Sequence, residues 1–145
     1  MKEDVLQRVL GEAFDWFHRH PELPYEEVKT TNQIRMLLEK RNIEILDIPL
    51  KTGLVAIIKG KKGKPVVTLR CDIDALPINE ETELEYKSCI PNRMHACGHD
   101  FHTTSILGAA YILKEIEDEL EGTVKLLFQP AEESSHGAEQ GIDTK

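Results

Sequence analysis

Three of the chain's six histidines and one of its three cysteines fall inside HACGHDFH, residues 95–102. Cys97 and His99 flank Gly98, and a residue without Cβ lets the backbone bend so that a thiolate and an imidazole can turn toward one point. Sulfur and imidazole nitrogen are borderline-soft donors that suit zinc, with manganese, nickel or cobalt as substitutes. A lone C-x-H is a weak motif. His95 and His102, at helix-compatible offsets from His99, strengthen a metal or catalytic reading.

Two further clusters carry acids. In RCDIDALP, residues 70–77, a strand would put Arg70, Asp72 and Asp74 on one face and Cys71 and Ile73 on the other, because strand side chains alternate. Two carboxylates beside a guanidinium suit the support of a cation, and equally suit an ion pair at a strand end. FQPAEE, residues 128–133, follows an apolar run. Pro130 cannot continue a ladder, so the alternation breaks there and Glu132 and Glu133 can both approach one site. One carboxylate on a metal, with its neighbour free as a base, is the division of labour that metal-assisted hydrolysis needs. Adjacent glutamates by themselves are usually solvated surface. His18, His20 and His136 read as surface histidines. Cys71 and Cys89 have no donor partners nearby, and Trp16 and Phe17 read as core or core-edge aromatics.

The elements that must position these clusters are legible in the apolar spacing. Val5, Leu6, Val9, Leu10, Ala13, Phe14 and Phe17 recur at helical intervals and predict a helix over about residues 3–19, stopped by HPELP. A second helix is expected from about Tyr25 to Arg41, with Ile34, Leu37 and Leu38 inward. IEILDI, LVAIIKG and PVVTLRC read as strands, the last two joined as a hairpin through the solvated turn KGKKGK, residues 59–64. Residues 77–94 have no period and read as a long loop. Ile106, Leu107, Ala110, Leu113 and Ile116 predict a helix from about His99 to Leu120, closed by Gly122 and followed by a buried strand, TVKLLF. Mixed helix and strand order of this kind means an α/β layered domain with helices on a sheet.

The chain has 145 residues, enough for one core, with 40% hydrophobic and 30% charged residues. A net charge of −8 argues against binding to nucleic acid or anionic lipid. No apolar run approaches a membrane span, there is no signal-peptide layout, and three cysteines do not make a secreted disulfide framework. The expected setting is cytoplasmic, with reduced thiols.

With the clusters in order, FHRHPELPYEE, LRCDIDALPI, MHACGHDFHTT and LLFQPAEES, the chain resembles the metal-dependent amidohydrolases that cleave N-acylated amino acids. These include hippurate hydrolases, N-acetyl-diaminopimelate deacetylases and auxin-conjugate hydrolases. The resemblance implies a zinc-peptidase-like α/β domain with helices packed on a mixed sheet, and one or two divalent ions (Zn, Mn, Ni or Co) per full-length subunit. It implies Cys97 as a bridging ligand, His99 and Glu133 as further ligands, and Glu132 as the general base that takes a proton from the attacking water. Asp72 would keep a supporting role in catalysis, with Arg70, Asp74, His95, Asp100 and His102 around the ligands. Related peptidases carry a metal-binding histidine where this chain has Arg70, and His99 is expected to make up that loss.

The substrate implied is a small N-acyl amino acid, with no nucleic acid or membrane partner and a homo-oligomer in full-length relatives. Members of the family run to more than twice this length, with a lid or dimerisation domain and two more histidine ligands. The expectation is therefore that residues 1–145 are the N-terminal part of the catalytic domain, truncated and weakly active or inactive alone. One rival is a non-enzymatic module in which Cys97, His95, His99 and His102 hold a structural zinc. A second makes Cys97 a nucleophile paired with His99.

Overall fold

A computed structural model of the chain describes residues 1–134. His136 and most of the apolar-poor tail lie outside the described residues. Helix α1 spans Glu3–Arg19, with Glu3 and Asp4 in its first turn and His18 and Arg19 in its last, matching the helix dipole at both ends. It stops at His20 because Pro21 follows, and the residue before a proline is pushed out of the helical region. Helix α2 spans Val28–Glu39. It starts three residues later than expected because Tyr25 takes φ 65° and Glu22 supplies the cap, accepting from Lys29 N (3.1 Å), Thr30 N (2.5 Å) and Thr30 Oγ1 (2.7 Å).

The strands are β1 (Glu44–Ile45), β2 (Leu54–Lys59), β3 (Val66–Asp72) and β4 (Thr123–Gln129). Helix α3, His99–Glu115, crosses from β3 to β4, with a short 3-10 turn at Glu117–Glu119 taking the place of its expected last turn. IEILDI therefore contributes only two residues to the sheet.

The sheet order is β1-β2-β4-β3, antiparallel except for the parallel β3–β4 pair. This corrects the β2–β3 hairpin. The 60–65 connection does not fold β3 back onto β2. It lies over the approach to β4, with Gly60 N donating to Gly122 O at 2.9 Å and Lys61 N to Leu120 O at 2.8 Å. β4 pairs with both strands and separates them, and a Cβ on Gly60 would meet the Gly122 carbonyl at 2.1 Å, so only glycine permits that approach.

Leu54, Ala56 and Ile58 of β2, Leu126 and Phe128 of β4 and Cys71 of β3 share the face that packs on Ala13 and Phe17 of α1, Ile34 and Leu38 of α2 and Leu107 and Ala110 of α3. Each large side chain buried this way contributes roughly 1.5–3 kcal/mol. The helices therefore cover the sheet, as the α/β reading requires. In register, Cys71 faces Phe128 and Asp72 faces Gln129. The carboxyl ends of the two parallel strands are level, which delivers DIDALP and PAEE to one edge of the sheet beside the start of α3.

Candidate active site

Each site residue comes from a segment with its own reason for bending. Gly98, at φ 80°, is the left-handed residue that starts α3 and turns His99 inward. Past β4, Ala131 adopts φ 52°, unusual for a residue with a Cβ, and its N–H is taken by the Glu27 carboxylate at 3.1 Å. That turn presents Glu132 and Glu133. Gly53 makes room for it, because a Cβ there would stand 2.7 Å from the Pro130 ring.

His99 is the hub. Its Nδ1 donates to the Asp74 main-chain carbonyl at 2.8 Å, which fixes the ring and leaves Nε2 facing the site. Around Nε2 stand Asp72 Oδ2 at 3.8 Å, Glu132 Oε2 at 3.7 Å and Glu133 Oε1 at 3.7 Å. Asp74, 1% exposed, accepts the Glu133 N–H on Oδ2 at 2.9 Å, while its Oδ1 lies 3.2 Å from His99 Nδ1 as an ion-pair contact without a hydrogen bond. Burial alone would raise its pKa, but His99 and the Glu133 N–H outweigh that and hold it below the usual carboxylate range. Burial likewise disfavours a charged His99, yet the ring of acids around it raises its pKa to about 9.

Arg70 and Asp72 do share a face. Arg70 Nε donates to Gln129 Oε1 at 2.6 Å and its guanidinium holds Asp72 Oδ1, so Asp72 presents Oδ2 to the histidines. Cys97 is exposed, and its thiol faces the Glu133 carboxyl, which as acceptor pushes the thiol up to about 11. That is the reverse of an activated nucleophile. His102 is half exposed, with Nδ1 3.9 Å from Asp72 Oδ2.

Two expectations change. His18 is not a surface residue. It lies 6% exposed, with Nδ1 2.6 Å from Asp100 Oδ2 and Nε2 3.0 Å from a Glu80 carboxyl oxygen. The signal was the helical phase, since His18 follows Phe14 and Phe17 on the inward stripe of α1. His20 is only partly exposed and bonds Trp16 O at 2.6 Å. The four-ligand module also fails. His95 is buried with neither ring nitrogen partnered, its pKa driven down to about 4 by burial, and among the described residues neither it nor Cys97 joins a candidate ligand set. Glu27, Glu80 and Gln129, which spacing did not single out, are revealed by contacts alone.

Burial lowers the His18 pKa, but its two carboxylate partners outweigh this and leave it raised above 6.5. A raised pKa contributes stability that is complete below the unfolded value and is lost as pH rises through the folded value. In paired urea melts, the wild-type advantage over His18→Gln should shrink from about pH 6 to about pH 9. An equal gap at both would remove the ion pair from the account.

A sequence profile described as peptidase family M20/M25/M40 matches residues 68–144. The chain belongs to that family. It is 54% identical over 127 residues to the N-acetylcysteine deacetylase of Bacillus subtilis (strain 168), covering 87% of this chain and 33% of that protein. It is 47% identical over 137 residues to the IAA-amino acid hydrolase ILR1-like 5 of Arabidopsis thaliana, covering 90% of this chain and 31% of that one. Among solved structures, a Bacillus subtilis protein described as a dinuclear metal binding peptidase from the M20 family superimposes with TM-score 0.96 at 49% identity, covering 99% of this chain and 40% of that chain. The chain thus spans about a third of the length of these curated relatives. The α/β fold with a mixed sheet is that of the M20 peptidases.

The donors present fit a divalent ion. His99, Glu132 and Glu133 form one set, and Asp72, His99 and His102 another, with the ligand atoms of each set within 4.8 Å of one another. Imidazole and carboxylate together suit zinc, manganese, cobalt or nickel.

Proposed function

We propose that residues 1–145 are the N-terminal part of the catalytic domain of a metal-dependent amidohydrolase that cleaves N-acyl amino acids. The observation that carries this reading is His99 Nε2, held open by Asp74 and surrounded by Asp72, Glu132 and Glu133 within 3.8 Å. The names of the relatives, a deacetylase and an amino acid conjugate hydrolase, support the same substrate class.

In this reading His99, Glu133 and Cys97 hold the ion, which supplies a water of lowered pKa and a polarised scissile carbonyl. Glu132 accepts the water's proton and returns it to the leaving amine. Asp74 fixes the His99 ring through its main-chain carbonyl and the Glu133 backbone through its carboxylate, so one buried residue sets two ligands. Arg70 fixes Asp72. Cys97 must lose its proton to bind, so occupancy should rise with pH.

Among the described residues no helix is long and apolar enough to cross a membrane. A cytoplasmic setting accords with three free thiols.

The test is a chimera joining this chain to the remaining portion of the 54%-identical Bacillus relative. Hydrolysis of N-acetyl or N-benzoyl amino acids that a chelator abolishes and zinc or manganese restores is the expected result. The chain by itself should turn over little. A folded, metal-loaded chimera without turnover would sink the reading.

A further inference from the structure

Away from the start of α3, the three helices enclose a cleft. Its larger part, about 380 Å³, is walled by Val9, Ala13 and Trp16 of α1, Met36 and Leu37 of α2 and Tyr111 of α3. A second part of about 350 Å³ shares Lys40, Arg41 and Tyr111 with the first and extends to Lys114 and Glu115 near the end of α3. Each volume lies in the range of about 300–1,000 Å³ typical of small-molecule sites. Tyr111 is twelve residues after His99 on α3, roughly 18 Å along the helix, so the cleft and the candidate active site are separate.

Arg41 stands where the two parts meet, with most of its donors unmet. A guanidinium carries five N–H donors and no acceptor. Among the described residues that of Arg41 reaches only the Met1 thioether sulfur, at 3.8 Å, and lies over the Tyr111 ring, 5.1 Å from its centre. Neither partner is an oxygen acid. Tyr111 is fixed in place, buried, with its hydroxyl donating to Leu37 O at 3.1 Å. Lys40 is exposed at the same rim, and among the described residues it has no acidic partner. The other charges are matched, Lys114 by Glu117 at 2.9 Å and Glu115 by the terminal ammonium. That leaves Lys40 and Arg41 against one lining acid, Glu12. The carboxyl end of α2 favours cations at these positions through its dipole. It gives no reason for a guanidinium laid back over a buried ring at the edge of an apolar cleft.

We propose that this cleft is a second binding site, for a small amphipathic monoanion whose carboxylate is held by Arg41 and Lys40 and whose short apolar tail packs against Val9, Ala13, Trp16 and Met36. The guanidinium fork matches a carboxylate with two parallel hydrogen bonds. A neutral ligand would leave both cations unanswered, and a cationic one would be repelled by them. The site does not depend on the metal reading and stands if that reading falls.

Trp16 is the chain's one tryptophan, so its emission reports on the cleft directly. Titrating the metal-free 145-residue chain with sodium octanoate should change that emission saturably. Octanol and octylamine, the same tail without the anion, should bind at least about ten-fold more weakly. Arg41→Gln should raise the octanoate Kd about ten-fold, and Lys40→Gln should raise it as well. Lys61→Gln, exposed on the 60–65 connection and outside the lining, should leave it unchanged. Circular dichroism checks that each variant is folded, and the exposed Lys40 can be replaced without disturbing the packing. A folded chain whose emission does not respond below about 10 mM octanoate overturns the proposal. So does equal binding of the three probes, which would reduce the cleft to an apolar surface, and so does a Kd that neither Arg41→Gln nor Lys40→Gln moves.

Discussion

Glu132→Gln in the chimera with the Bacillus relative should lower kcat about 10²- to 10⁴-fold while leaving bound metal and KM nearly unchanged. That loss corresponds to about 3–5 kcal/mol of barrier. Glutamine keeps the shape and one oxygen, so the turn after Ala131 survives, but an amide cannot accept and return a proton. The distinction from Glu133 is geometric. Both carboxylates stand 3.7 Å from His99 Nε2, yet Glu133 is tied back through its N–H to Asp74 and faces the Cys97 thiol, while Glu132 is the more exposed of the two. Glu133→Gln should instead weaken metal retention. A Glu132→Gln enzyme that turns over normally would take the base assignment away from this residue.

Glu27→Ala should be among the most destabilising single changes in the chain, costing about 3 kcal/mol and lowering Tm by roughly 10 °C. Glu27 is fully buried, and its carboxyl accepts from Tyr25 N at 2.7 Å, Thr52 Oγ1 at 2.6 Å and Ala131 N at 3.1 Å. Alanine strands all three donors, two of which, on Thr52 and Ala131, are buried. Burial pushes the Glu27 pKa up against those same hydrogen bonds, so the neutral form is tolerated, and Glu27→Gln should be much milder. The Ala131 N–H is the one that holds the left-handed turn before Glu132, so Glu27→Ala should also weaken zinc binding by the folded chain. Calorimetry of both variants in the presence of a chelator separates the stability effect from the metal effect. A loss below about 0.5 kcal/mol for the alanine variant would mean that the three donors find other partners.

The sequence by itself determined the local elements and the chemistry available to them. The apolar stripe from Val5 to Phe17 required α1, and the Gly98 and Pro130 breaks marked where the backbone must leave regular structure. The motif order placed the chain in a family of metal-dependent hydrolases. These features depend on near neighbours in the chain, and spacing reports near neighbours faithfully.

What spacing could not report was partnership across the chain. LVAIIKG and PVVTLRC carry every local mark of a hairpin, yet β4, from residues more than fifty positions later, lies between them as the strand whose Leu126 and Phe128 are completely buried. His18 looked like a surface residue until Asp100 and Glu80 were brought to it. Glu27 is an unremarkable acid in PYEEV, and only the fold sets it beneath Ala131. Cys97 and Glu133 had the right chemistry for a shared ion, but only the level ends of two parallel strands and the turn into α3 made them neighbours. A side chain's chemistry is written locally, while its burial and its partners are set by residues far away in the chain.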